Sequence, residues 1–211
     1  PNETWGRDYI VSALRDRASL PSVVRVVSQA DDNRLTYDPP GVRPQETLRA
    51  GQVLEFAATQ SFRVTGTGSI NVAQFLVGQD YAGIGSSPAG ASGDPSESLA
   101  IPTEQYRSSY TLLVPQQYQE NLLSIVTPAG SSVRLDGNDI SGQLAPFGAG
   151  TYKAGRVTVA AGTHTLDCPG TCGVEVYGWS EAVSYMFAGG LDLEQIVIGR
   201  SAVTAPATPA P

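Results

Sequence analysis

The sequence is poor in the residues that most catalytic and metal sites need. Its 211 residues include one histidine, one methionine and two cysteines, and only 16% are charged. A serine hydrolase would depend on His164, but "AAGTHTLDC" has the pattern of a strand and predicts a polar residue on its solvated face. Neither a G-x-S-x-G elbow nor a Gly-rich phosphate loop is present. We therefore expect a protein that is not an enzyme and that holds no metal or cofactor.

Long apolar runs and an excess of basic residues are also missing. No stretch approaches the roughly 20 apolar residues of a membrane helix, and "PNETWGRDY" at the start has no signal-peptide pattern. The formal charge of −7 argues against nucleic acid and anionic membranes, which attract basic surfaces. The expected partner is a protein or a glycan on another surface, and the sequence leaves the oligomeric state open.

The two cysteines lie close together in "CPGTC". Pro-Gly between Cys168 and Cys172 favours a turn, so we predict a local disulfide and an extracellular or cell-surface location. Free thiols are the first alternative. Half of a zinc site is the second, but a second pair of ligands is missing.

Acidic residues give little information about chemistry. Asp94, Glu97 and Glu104 could supply the carboxylate pair of a glycoside hydrolase, but any chain with 20 acidic residues contains such pairs. "LDGNDISG" around Asp136 resembles part of a calcium loop, yet it lacks the closing Glu, and Asp-Gly favours a hairpin turn.

Short runs rich in Val, Ile, Leu and Tyr dominate the chain, and 23 Gly and 15 Pro separate them. "RVTVAAGTH" and "VEVYGW" alternate apolar and polar residues, as half-buried strands do. The helix candidates, "YIVSALRDRASL" and "PQQYQENLL", are weak because neither has a clean start. This pattern predicts an all-β protein.

The order of these runs repeats after about one hundred residues. "LRAGQVLEFAATQSFRV" matches "YKAGRVTVAAGTHTLDC", and Tyr9, Gly51 and Tyr81 match Tyr110, Gly155 and Tyr185. Chance similarity between β sequences is the alternative. Duplication predicts two tandem, pseudo-repeated antiparallel β-sandwich modules, jelly-roll-like and packed together. The expected boundaries are 1–103, with an exposed junction loop at 83–103, then 104–200, then an Ala/Pro/Thr-rich tail at 201–211.

The stretch "EQYRSSYTLLVP" after this junction combines residue types that are frequent in binding surfaces. Trp5 and Trp179 fall near the ends of the modules, and either could be a stacking platform or part of the core, with the core favoured for Trp179. The candidate binding residues are Trp5, Asp94, Glu104, Gln105, Tyr106 and Arg107.

Together these stretches resemble the N-terminal domain family of IgGFc-binding proteins. The resemblance rests on "DPSESLAIPTEQYRSSYTLLVPQQYQENLLSIVTPAGSSVRLDG", "GTHTL" and "GVEVYGWSEAVSYMFAGG". It extends to "WGRDYIVS", "RVVSQADDN", "LRAGQVLEF" and "INVAQFLVG", and therefore covers nearly the whole chain. "CPGTC" departs from the family pattern as a local variant before "GVEVYG".

The resemblance implies a non-enzymatic extracellular module for adhesion or recognition, which binds a protein or glycoconjugate through loops. The binding of IgG Fc does not transfer with it, nor does any residue-level site. The Ala/Pro/Thr tail suggests a bacterial surface protein. A carbohydrate-binding module and a ligand-free structural spacer are the alternative functions.

Overall fold

Antiparallel strands make up the computed structural model, which describes residues 2–14, 20–78, 81 and 93–193. The strands in these ranges are β1 (Asp8–Val11), β2 (Ser22–Ser28), β3 (Asn33–Asp38), β4 (Glu46–Leu48), β5 (Val53–Ala58), β6 (Phe62–Gly66), β7 (Ile70–Leu76), β8 (Ser96–Leu99), β9 (Arg107–Val114), β10 (Glu120–Pro128), β11 (Arg134–Leu135), β12 (Asn138–Asp139), β13 (Ala145–Phe147), β14 (Tyr152–Thr158), β15 (Gly162–Ser180) and β16 (Val183–Ala188). Short 3-10 turns lie at Asn2–Thr4, Thr103–Gln105 and Ser141–Gln143. The all-β prediction is confirmed.

Alternating residues explain most of these strands. In β2, Val24 and Val26 are fully buried, whereas Arg25 between them is exposed. Successive side chains of a strand point to opposite faces, so this pattern places one face on a core. β10 differs because every residue from 121 to 127 is buried. Both of its faces are therefore covered.

The N-terminal half, residues 2–99, consists of two four-stranded sheets. Their strand orders are β1-β6-β3-β4 and β5-β2-β7-β8. The two sheets bury one common core, which includes Val11, Val24, Leu35, Phe62 and Val72.

The C-terminal half, residues 100–193, is organised around β15. The first part of this 19-residue strand pairs with β9 and β11, and its second part pairs with β10 and β16. β14 and β13 extend the sheet beyond β10. The two layers bury one core, which includes Leu112, Leu123, Ile125, Leu166 and Val174.

One tyrosine in each half makes the same pair of hydrogen bonds. The Tyr9 hydroxyl accepts the Gly6 N–H at 3.1 Å and donates to the Ile70 carbonyl at 2.9 Å. The Tyr110 hydroxyl accepts the Arg107 N–H at 3.1 Å and donates to the Cys172 carbonyl. Tyr9 thus ties β1 to the other sheet of its half, and Tyr110 ties β9 to the bulge of β15.

Two apolar clusters lie in the seam between the halves. Leu14 and Leu76 of the N-terminal half pack against Leu122, Tyr177 and Trp179. A second cluster joins Ile10 and Ile101 to Tyr106, Val126 and Ala154. The core position expected for Trp179 is confirmed, since its side chain is 3% exposed.

Local sequence was misleading in several places. The helix predictions are wrong where the chain is described, because residues 9–11 belong to β1 and residues 120–123 begin β10. The rest of "YIVSALRDRASL" includes residues 15–19, which lie outside the described ranges. Residues 96–99 of the predicted junction loop form β8, which pairs with β7. Residues 83–92 and the tail 201–211 are outside the described ranges. Among the residues described, no helix is long and apolar enough to cross a membrane.

Candidate binding surface

The predicted binding segment runs along the seam between the halves. Asp94 is exposed and borders a cavity of about 270 Å³ on the face of β2 and β7. The chain then passes through β8 and reaches Pro102, which forms an isolated antiparallel bridge with Tyr9. The segment is thus part of the interface between the halves and is not a free loop.

Two of the predicted residues are buried in this seam. Gln105 is fully buried, and its Nε2 donates to the Thr4 carbonyl at 2.9 Å. Tyr106 is 7% exposed, and burial raises the pKa of its hydroxyl. Neither side chain is open to an external partner. Their role is to hold the N-terminal segment against the C-terminal half.

The other predicted residues stay accessible, and two of them are neighbours. Glu104 is exposed, and its Oε1 accepts the Arg7 N–H at 3.0 Å, which places it against the backbone two residues after the half-buried Trp5. Arg107 is exposed farther along, with its guanidinium 5.9 Å from the Tyr110 ring centroid.

Ion pairing and hydrogen bonding extend the surface next to Trp5 and Glu104. Arg63 donates to both carboxylate oxygens of Asp8, with each N···O distance at 2.7 Å. Thr103 Oγ1 donates to Asp8 Oδ2 at 3.0 Å. The Arg63 guanidinium also lies 5.6 Å from the Tyr152 ring centroid. We call this surface the seam patch; it consists of Trp5, Asp8, Arg63, Thr103, Glu104 and Tyr152.

The pKa shifts in the seam patch keep the Arg63 guanidinium charged and the Tyr152 phenol neutral. The hydrogen bonds that Arg63 donates to the Asp8 carboxylate raise the pKa of its guanidinium. Desolvation, followed by the nearby Asp8 charge, raises the pKa of Tyr152, so its phenol stays neutral at physiological pH. A bidentate guanidinium–carboxylate pair is also geometrically constrained. The patch therefore presents a held arginine and two aromatic rings, which suit contact recognition.

Sequence reasoning missed Asp8, Arg63 and Tyr152 as members of this patch. Asp8 and Arg63 approach each other because β1 pairs with β6, where Ile10 lies opposite Arg63. Tyr152 comes from the other half of the chain. Within the sequence, only "WGRDY" indicated a binding surface locally, because it places charged residues next to aromatic ones.

The predicted disulfide is present between Cys168 and Cys172. It closes a bulge in β15 where the pairing with β9 shifts register. The Thr127 hydroxyl donates to the Thr171 carbonyl within this bulge at 2.8 Å. The disulfide therefore fixes the point where β15 passes from one layer to the other.

His164 forms a side-chain hydrogen bond with Asp136, and the solvated position expected for it is wrong, because its side chain is only 13% exposed on the face that carries Leu166. His164 Nδ1 lies 2.7 Å from Asp136 Oδ2, and the Thr165 N–H donates to Asp136 Oδ1 at 2.8 Å. Asp136 and Gly137 both have positive φ and connect β11 to β12, which confirms the hairpin turn. The described residues contain no group of three or more His, Cys, Asp or Glu side chains that could hold a metal ion.

Comparisons with known proteins relate the chain to one family. A family profile described as "IgGFc binding protein" matches residues 1–178. The human IgGFc-binding protein is 25% identical over 193 residues, which are 89% of this chain and 3% of that protein. The chain thus spans a small fraction of the length of this relative.

Solved structures offer only remote similarity. An anti-sigma factor domain-containing protein is 11% identical with a TM-score of 0.22, over 83% of this chain and 80% of that one. Another, from Clostridium clariflavum, is 10% identical with a TM-score of 0.22, over 84% and 83%.

Proposed function

Because this chain belongs to the IgGFc-binding protein family, we propose that it is a non-catalytic recognition module that contacts a protein partner outside the cell. The observation that carries this proposal is the seam patch, where the partly exposed Arg63 guanidinium lies over the Tyr152 ring and Glu104 holds the chain just after the half-buried Trp5. Tryptophan, tyrosine and arginine dominate the energetics of many protein interfaces. The disulfide between Cys168 and Cys172 supports an oxidising, extracellular setting.

The exposed parts of the predicted loop extend this contact surface. Glu104 is a member of the seam patch, and Arg107 follows it on β9. Asp94 lies at the other end of the segment, beside the cavity on β2 and β7. Adhesion through this surface is the expected use of the module.

We also infer that the two halves are copies of one β-sandwich module, with boundaries at 1–103 and 104–200. The strand order β1-β6-β3-β4 has a counterpart in β9-β15-β11-β12, and β5-β2-β7-β8 has one in β14-β10-β15-β16. The equivalent hydrogen bonds of Tyr9 and Tyr110 support the same inference. A bacterial surface protein as the parent molecule stays a prediction from the composition of residues 201–211.

A glycan is the alternative partner. Trp5 is partly exposed, and the Glu104 carboxylate binds the chain two residues later; an aromatic ring and a hydrogen-bond acceptor on one segment also suit a sugar. A spacer without a ligand is the remaining alternative. The protein-binding, glycan-binding and spacer functions differ in which probe binds. Testing the same variants with a protein probe and a glycan probe therefore distinguishes them.

A binding assay with two probes tests the proposal. The human relative is named for binding IgG Fc, so the first probe is the IgG Fc fragment. The second probe is a glycan array. If Fc binds, Trp5→Ala and Tyr152→Ala should each weaken it by about tenfold or more. Phe187→Ala, at a 38% exposed aromatic residue outside the patch, should leave it unchanged.

The other outcomes assign the alternatives. Glycan binding that needs Trp5, with no response to Fc, would favour the carbohydrate-binding module. No binding of either probe would favour the spacer. Binding that survives both substitutions would remove the seam patch as its site.

A further inference from the structure

A cleft of about 480 Å³ lies between the two halves of the chain. The N-terminal half supplies one wall, which includes residues 12–13 after β1, Pro39 and residues 60–61. The C-terminal half supplies the other wall, which includes Gln143, β13 and Arg156 on β14. The volume lies within the range of about 300–1,000 Å³ that holds small molecules, and such sites are frequent where two structural units meet.

Two sets of hydrogen bonds between the halves adjoin this cleft. Arg156 Nη1 donates to the carbonyls of Ala13 and Leu14, at 3.3 Å and 2.8 Å. The Ala149 N–H donates to the Asp38 carboxylate, with N···O distances of 3.0 Å and 2.9 Å. The residue after Asp38 and the residue before Ala149 both line the cleft. The cleft is therefore preformed, and a ligand does not need to separate the halves to enter it.

Both walls carry hydrogen-bonding groups that can bind hydroxyls. The exposed side-chain amides of Gln60 and Gln143 each offer a donor and an acceptor. Ser61 Oγ accepts the Ala13 N–H at 2.9 Å, so its own hydroxyl hydrogen can be donated. Arg156 uses Nη1 for the two carbonyls, and its other guanidinium nitrogens have no partner among the described residues.

The remaining lining is apolar and carries little charge. Pro39, Pro146 and the half-buried Phe147 supply flat apolar surface. Among the described residues that line the cleft, Arg156 alone is charged, which leaves no carboxylate for a metal ion or an amine. The Asp38 carboxylate adjoins the cleft and repels an acidic ligand. An uncharged ligand with an apolar face and several hydroxyls fits this lining best, and a pyranose has both features.

The edge strand β13 does not suit an extended peptide. Peptides bind such an edge through its outward N–H and C=O groups. Pro146, in the middle of β13, has no N–H and lies opposite Lys153 of β14. Because a proline in a sheet turns its missing donor away from the neighbouring strand, the outer edge of β13 lacks a donor at its centre. The cleft therefore favours a ligand that is bound by side chains.

We propose that this cleft binds a neutral pyranose unit of a glycan. Gln60, Ser61 and Gln143 bind its hydroxyls from both halves of the chain, and the Arg156 guanidinium donates to a further one. The apolar face of the sugar ring lies on Phe147. The site is separate from the seam patch, and it does not depend on the proposed function.

NMR titration with the methyl glycosides of glucose, galactose, mannose and N-acetylglucosamine tests this site. A pyranose has about twelve non-hydrogen atoms, so we expect a Kd on the order of 1 mM and use probes up to about 10 mM. At least one glycoside should shift the side-chain amide signals of Gln60 and Gln143 saturably. Gln60→Ala and Gln143→Ala should each weaken binding about threefold to tenfold. Gln116→Ala, at an exposed glutamine outside the cleft, should leave it unchanged.

A substitution that fills the cleft gives a second test. Ala145 is exposed and lines the cleft, so Ala145→Trp should abolish binding of the glycoside, and circular dichroism checks that the variant folds. Ala160→Trp makes the same change at an exposed site outside the cleft and should bind normally.

Three outcomes would overturn the proposal. The first is a wild-type chain that binds none of the glycosides saturably, and the second is binding that persists unchanged in the three cleft variants. The third is binding that is lost in Trp5→Ala and kept in the cleft variants, which would assign the sugar to the seam patch. Ala145→Trp should not alter any binding of the Fc fragment, which separates this test from that of the proposed function.

Discussion

Glu175 is the least expected residue of the structure. It lies on β15 and is 8% exposed, on the face of the strand that meets the N-terminal half near Ile10 and Ser12. Its Oε1 has no hydrogen-bond partner among the described residues. Burial raises the pKa of this carboxyl to about 8. At neutral pH the folded chain therefore holds a proton that the unfolded chain releases.

This proton predicts a loss of stability as the pH rises. The pKa of Glu175 is about 8 in the folded chain and 4.5 ordinarily, so its stabilising effect is complete below about pH 4.5 and disappears as the pH rises through about 8. Glu175→Gln removes the titration. The free energy of unfolding of the variant, relative to wild type, should rise by on the order of a few kcal/mol between pH 5 and pH 8.5.

Urea unfolding at both pH values measures this difference. Using the difference between the two proteins cancels the titration of all other groups. An equal difference at both pH values would show that Glu175 titrates normally.

The disulfide between Cys168 and Cys172 stabilises the bulge of β15. β15 bends at its bulge, where Cys172 supplies the carbonyl that Tyr110 binds. Closing so short a loop restricts the unfolded chain only moderately, which corresponds to about 2 kcal/mol. The double variant Cys168→Ala/Cys172→Ala should lose about this much stability in urea. Reductant should lower wild type to the same level and leave the variant unchanged; an effect of reductant on the variant would contradict this explanation.

The two tyrosines that tie the strands together offer a comparison between elements. Tyr9→Phe and Tyr110→Phe each leave a carbonyl and an N–H without their shared partner. We expect each to cost about 1–2 kcal/mol in the free energy of unfolding. Tyr81→Phe is the control, because Tyr81 is 59% exposed, and it should stay within about 0.5 kcal/mol of wild type. A large cost for one tyrosine and none for the other would argue against equivalent roles.

Whole-molecule stability depends on the seam. Leu14→Asp places a carboxylate among Leu76, Leu122 and Trp179, so we expect a loss of several kcal/mol. Leu113→Asp makes the same chemical change at a 71% exposed site and should cost at most about 0.5 kcal/mol. In a Trp5→Phe background, red-shifted emission of Trp179 would report the opened seam. Equal stability of the two variants would mean that the halves do not depend on each other.

The sequence predicted features that local order determines. Alternation in "RVTVAAGTH", the Asp136-Gly137 turn and the disulfide are set by neighbouring residues, so they could be predicted directly. The seam could not be predicted from the sequence, because it depends on which outer faces of the sheets in the two halves contact each other. "VEVYGW" predicts a half-buried strand with Glu175 in solvent, and this is wrong because the N-terminal half covers that face. Gln105 and Tyr106 were misplaced for the same reason.

The continuity of β15 has a consequence for motion. It is an inner strand of both layers of the C-terminal half, between β9 and β11 and then between β10 and β16. In the N-terminal half, no single strand does this among the described residues: β6 and β7 are separate strands in different sheets. Neither C-terminal layer can open without exposing amides of the strand that the other layer needs. Amide exchange with deuterium should therefore be slowest along β15, and both layers should exchange as one cooperative unit.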